Sequence, residues 1–233
     1  AARTAGLLRI VLIAFMGIFS PMISELYAKN DRKEMQHLYK LIIRWVMTIA
    51  SPLFLLIIIF PKKVLLLFGP EYQGSHIILS VLTISVLIQS FIASSGHTLM
   101  MTGYSKINFV NSVIILIINL LFNFILIPIY GGLGAAIATL ISMLSLGLIR
   151  LIEVWYYLRL QPVSLSLLKP LFSTLFVFVL LINTKPIFMP FHTIITLLIA
   201  SLSILIIFTV FLWIMGFDDD DNQVISALKV IFL

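Results

Sequence analysis

The stretch FNFILIPIYGGLGAAIATLIS, from Phe122 to Ser142, is apolar at both ends and broken in the middle by a proline, a tyrosine and three glycines. It reads as two membrane-spanning helices joined by a tight turn. Pro128 is expected to end the first helix, and YGGLG to turn the chain with Tyr130 at the level of the lipid headgroups, where amphipathic rings prefer to sit. On the second helix the small residues fall in columns: Gly134, Ala138 and Ser142 at four-residue steps, and Gly131, Ala135, Thr139 and, further on, Gly147. Lipid supplies no hydrophobic drive for helices to associate, so close approach through small residues is how such helices pack.

The rest of the chain is of the same kind. Apolar residues make up 61% of the 233 residues and charged ones 10%, and the mean hydropathy is +1.19. A water-soluble fold could not hide that much apolar surface. The apolar residues run continuously over lengths that cross a bilayer as helix, about 17–25 residues, whereas strands of a membrane barrel would alternate over about ten. Seven runs are predicted: Ala5–Tyr27, Leu41–Phe60, Ile77–Met101, Ile107–Ile127, Leu133–Leu158, Leu167–Ile182 and Phe191–Met215. The fold class is therefore an all-α integral membrane protein of about seven transmembrane helices.

Basic residues set the orientation. The segment KNDRKEMQHLYKLIIR after the first run holds Lys29, Arg32, Lys33, Lys40 and Arg44, the densest basic cluster in the chain. With it inside, ten of the fifteen basic residues are cytoplasmic, the others being Lys106, Arg150, Arg159, Lys169 and Lys229; Arg3, Arg9, Lys62, Lys63 and Lys185 lie outside. The C-terminus is then cytoplasmic, in the plasma membrane. Between the second and third runs, PKKVLLLFGPEYQGS is too short to cross and is expected to rest on the outer surface with a turn at Gly69-Pro70. The tail GFDDDDNQVISALKVIFL is expected to form a short interfacial helix. The chain starts AARTAGLLRI, without a methionine or a cleavable leader, and reads as a piece of something longer.

Chemistry finds little foothold. There is no cysteine and no G-x-x-x-x-G-K loop, so no thiolate metal site and no nucleotide hydrolysis are expected. His37 and His192 have no ligands at metal spacing. The acidic residues are one run, DDDD, and a few scattered side chains, without the carboxylate-rich polar loop of a membrane glycosyl transferase. No catalytic residue, cofactor, metal or nucleic-acid partner is expected.

Several motifs, in order, carry a resemblance: AARTAGLL near the start, SPMISELYAKNDRKEMQHL across the first inner loop, LLLFGPEYQGS outside, TLMMTGYSK closing the third run, and INLLFNFILIPIYGGLGAAIATLIS. Together they resemble polysaccharide flippases of the multidrug/oligosaccharidyl-lipid/polysaccharide exporter superfamily. The resemblance implies the second half of a fourteen-helix, two-lobe flippase: residues 1–160 as five helices of the second lobe, 161–216 as two additional helices, and 217–233 as a cytoplasmic tail. It implies as cargo an oligosaccharide on polyprenyl pyrophosphate, turned across the membrane by rocking of two lobes, with membrane lipids and other polysaccharide-assembly proteins as partners. Such cargo needs positive charge, and Arg3 and Arg9 are the candidates; both could instead snorkel to the headgroups.

Further candidate substrate contacts are His97, within the stripe Ser80, Thr83, Ser90, Ser94, His97 and Met101 on the third run, Gln89 beside that stripe, and Asn119 and Asn123 on the fourth. Interhelical hydrogen bonding would use the same residues. Arg150 and Glu153, at i and i+3, are expected to pair along their helix. The competing readings are a cation-coupled multidrug exporter of the same superfamily, which favours a buried carboxylate and has only Glu25 and Glu153 near the core; an envelope-biosynthesis membrane enzyme; and a non-transporting membrane scaffold.

Overall fold

The computed structural model describes residues 19–162, 164–188 and 192–216. Helix α1 is described over 19–28 and ends in a turn at Asn30, whose φ is +56°. Asp31 then caps α2 (Arg32–Ile59), its carboxylate accepting from the Glu34 amide at 3.2 Å, with the Glu34 side chain in the first turn where helices favour negative charge. The predicted second run begins only at Leu41. Hydropathy marks where a helix enters hydrocarbon, whereas the cap marks where it begins, and the charged turns between them stand outside the membrane. Pro52 sits inside α2, where it leaves one carbonyl without its helical N–H partner.

A short helix α3 (Pro61–Leu66) and a 3-10 turn (Pro70–Ser75) fill the predicted outer loop. Gly69 joins them at φ +136°, a conformation that L side chains avoid, and a Cβ there would strike the Glu71 carboxylate. The spans α4 (His76–Met101), α5 (Ser105–Tyr130), α6 (Gly132–Glu153), α7 (Leu165–Phe188) and α8 (Thr193–Ile214) follow. A π-helical turn, Val154–Leu158, prolongs α6. Among the described residues six helices are long and apolar enough to cross a membrane.

Pro128 does not end α5. The helix continues to Tyr130 and stops at Gly131, φ +55°, whose amide bonds to Ile127 at 2.8 Å. A proline forfeits one backbone bond and survives near a helix end, whereas a residue at positive φ cannot be helical. The sixth span likewise outruns its predicted Leu167–Ile182, because Asn183, Thr184 and Lys185 are polar but still helical.

Across the bundle α5 packs on α6, α6 on α4, α4 on α2, and α2 on the α7–α8 pair, while α3 reaches α4 and α8. Helix α2 is the hub. Its C-terminal half joins Leu65, Leu79, Val177, Leu181, Ala200 and Ile204 in one apolar core, and its N-terminal half joins Leu99, Val154, Leu158, Leu160 and Leu167 in another. The residues 217–233, including the acidic run, lie outside the described residues.

Candidate functional site

Polar side chains inside the bundle concentrate on three neighbouring helices, α4, α5 and α6. The reason differs for each.

On α4, Thr83, Ser85, Ser90, Ser94, Ser95 and Thr98 are all buried. Most of their hydroxyls bond back to the previous turn of the same helix: Thr83 to Leu79 at 2.7 Å, Ser90 to Val86 at 2.9 Å, Ser94 to Phe91 at 3.1 Å and Thr98 to Ser94 at 2.8 Å. A hydroxyl satisfied in this way is small and electrically quiet, so α6 and α2 can come close. Ser95 alone reaches across, to the Tyr39 hydroxyl of α2 at 2.6 Å. Gln89 and His97 are half-buried on the same helix.

On α5, Asn108, Asn111, Asn119 and Asn123 share the face turned to α6. The Asn123 amide donates to Asn119 at 2.8 Å, Asn119 donates to Ser142 at 3.2 Å, and Ser142 bonds the Ala138 carbonyl at 2.7 Å. The Asn123 carbonyl oxygen is buried with no partner. These two candidate contacts thus lie together in the seam of the hairpin. The small-residue column lies there too: a Cβ on Gly134 would collide with the Leu126 carbonyl, so the two backbones touch where glycine permits it. Gly147, from the second column, instead faces Ile92 of α4.

Toward the other end of the seam the expected Arg150–Glu153 pair is replaced by two bonds across it. Arg150 Nη2 donates to Asn108 at 2.7 Å, and Asn111 donates to Glu153 at 2.5 Å. Each charged group thus bonds a neutral amide of the facing helix. The Arg150 guanidinium also covers Gly96, next to His97, and its Nε is buried without a partner. Arg150 therefore ties α4, α5 and α6 together.

Arg3 and Arg9 lie outside the described residues. A third arginine was missed by reading the sequence: Arg44, counted with the inner loop, is 5% exposed within α2. Its signal was present, since KLIIRWVMTI sets apolar residues on both sides of it, and an ionisable group within a span marks a site of interest.

The chain is 32% identical over 146 residues to a capsular polysaccharide biosynthesis protein, CapF, of Staphylococcus aureus, covering 61% of this chain and 35% of that protein. It is 28% identical over 123 residues to a probable low-salt glycan biosynthesis flippase, Agl15, of Haloferax volcanii, covering 52% and 26%. An uncharacterized membrane protein of Methanocaldococcus jannaschii, MJ1068, matches at 26% over 159 residues, covering 67% and 30%. The matched stretches thus span about a third or less of these relatives. No solved structure matches. The flippase name among them points to transport. The MatE family matches residues 1–125, more than half of the chain, and with the helical bundle and its polar seam already in view, this protein belongs to the MatE family.

Proposed function

We propose that this chain works as part of a flippase that carries polyprenyl-pyrophosphate-linked oligosaccharide across the plasma membrane by alternating access, for cell-surface polysaccharide synthesis. The observation that carries the reading is family membership joined to relatives named for capsular polysaccharide and glycan synthesis. The helical bundle agrees with it. Of the two carboxylates a cation-coupled exporter could use, Glu25 is exposed and paired with Lys29 at 2.6 Å, and Glu153 accepts from Asn111.

In this proposal Arg3 and Arg9 supply positive charge to the cargo, Arg being suited to hold phosphate through a planar fork. In the full-length protein, Arg3→Ala and Arg9→Ala should sharply reduce surface glycan in a complementation assay while membrane abundance stays near normal, with Lys restoring part. Normal export by both Ala variants would remove these residues from the cargo path. The orientation is tested beside it in a full-length protein whose cysteines outside these 233 residues are replaced, since these residues contain none. Lys33→Cys should be shielded from a membrane-impermeant thiol reagent in intact cells and Gln73→Cys labelled; the reverse pattern would turn the protein over.

A further inference from the structure

At the basic end of the molecule, outside the seam just described, a crevice of about 450 Å³ opens between the end of α1, the start of α2, the α4–α5 turn and the π-helical turn after α6. Its size lies within the range of small-ligand pockets, about 300–1,000 Å³. Leu158 and Met35, both buried, belong to its lining, together with Tyr27, Tyr104 and Tyr157. Tyr27 and Tyr157 each keep 41% of their surface exposed, and the Tyr104 and Tyr157 rings meet at 4.9 Å between centroids. Asn30, Asp31 and Arg32 complete the wall.

Two features make this a built site and not a gap between helix ends. The first is the π-helical turn, which inserts a residue into the helix and so re-aims the side chains that follow; such turns concentrate at functional places. Here it brings Tyr157 to Tyr104, while Trp155 stays outside with Arg159 5.5 Å above its ring. The second is a clamp between the walls. The Gln36 side chain donates to the Gln161 carbonyl and accepts from the Gln161 amide, both at 2.7 Å, joining the start of α2 to the segment after α6.

The chemistry of the wall is selective. A sugar ring has an apolar C–H face that packs on an aromatic ring and an edge of hydroxyls that needs carboxylate, amide and guanidinium partners. Three tyrosines with an Asn, an Asp and an Arg provide both. Asp31 uses Oδ1 for the helix cap, and its second carboxylate oxygen remains as an acceptor. Lipid acyl chains would want none of these polar groups.

We propose that this crevice is a carbohydrate subsite at the cytoplasmic mouth, holding the sugar portion of the lipid-linked cargo before it moves inward. This rests on the flippase reading and on the orientation set by the basic residues. The test uses the full-length protein in a strain deleted for it, with surface glycan and membrane abundance both measured. Tyr157→Leu removes a ring and a hydroxyl; Asp31→Asn removes a charge but keeps an equally good helix cap. Both should lower export, Tyr157→Leu by about fivefold, at normal abundance. Trp155→Leu, on the same turn but outside the crevice and 49% exposed, should export normally.

Binding is read separately by the rate at which Ala28→Cys reacts with a thiol reagent in inverted membranes. That rate should fall about fivefold in membranes from glycan-producing cells, relative to membranes from cells lacking the first sugar transferase, if the cargo sits over the residue. Equal rates, normal export by both crevice variants, or an equal loss in Trp155→Leu, which would mark an interfacial aromatic belt, each overturn the subsite alone. If the deletion strain itself keeps its surface glycan, the flippase reading falls and takes the subsite with it.

Discussion

Helices α2 and α5 are nearly matched in hydropathy, 2.3 against 2.6 over their most apolar windows, yet 56% of that window is buried within the bundle in α2 and 6% in α5. Hydropathy therefore says that both cross the membrane and nothing about what each touches. In water the more apolar helix would be the more buried. In lipid that drive is absent, so packing follows shape and hydrogen bonding. Helix α2 buries Tyr39, Arg44, Ala50 and Ser51 among its apolar residues and packs against α4, α7 and α8. Helix α5 gathers its asparagines on one stripe toward α6 and gives the opposite side to large residues such as Phe109, 70% exposed, and Phe124, 84% exposed.

The largest effect expected from this contrast is at the seam. Gly134→Leu in the full-length protein should cost about 3 kcal/mol, because the new side chain meets backbone that cannot rotate away. Ala138→Leu, at a fully buried position, should cost somewhat less. Melting in detergent and membrane abundance report both, and unchanged melting would mean that α5 and α6 are not in contact.

A middle effect is expected from the polar bonds across the same seam. Asn111→Leu leaves the Glu153 carboxylate without its partner and should cost about 1–2 kcal/mol. A double-mutant cycle with Glu153→Gln should return a coupling near 0.6–1.7 kcal/mol, roughly the range for such bonds in membrane proteins. A coupling of zero would show that the asparagine stripe only fills space.

The smallest effect belongs to the open side of α5. Phe124→Ala should change melting by less than about 0.5 kcal/mol, since lipid can fill the space that the ring leaves. A loss of several times that size would mean that another part of the full-length protein covers this face, and α5 would cease to be the counterexample to α2.

Much of the fold was legible because a membrane restricts the choices. The spans, the short loop with its turn at Gly69-Pro70, and the hairpin at Gly131 follow from run length and small residues. Helix ends were misplaced wherever polar residues remained helical beyond the hydrocarbon, as at Arg32–Lys40 and Asn183–Lys185, and at Pro128, where a breaker was read as a stop. The candidate site was less legible. Asn119 and Asn123 could be singled out, but Asn108 and Asn111 drew no notice, because only the distance to Arg150 and Glu153 across the seam gives them a task.

The sequence by itself determined that this protein lives in lipid, that it crosses as helices, which of its ends is basic, and that α5 and α6 form a close hairpin, since each of these depends on solvation or on side-chain size along one chain segment. Only the tertiary structure decided that α2 is the hub, that Arg150 and Glu153 look across to asparagines in place of each other, and that Tyr27, Tyr104 and Tyr157 share one crevice. Those facts join residues far apart in the chain. Hydrogen bonds and ring contacts depend on distance and direction in space, and no local property of the sequence records either.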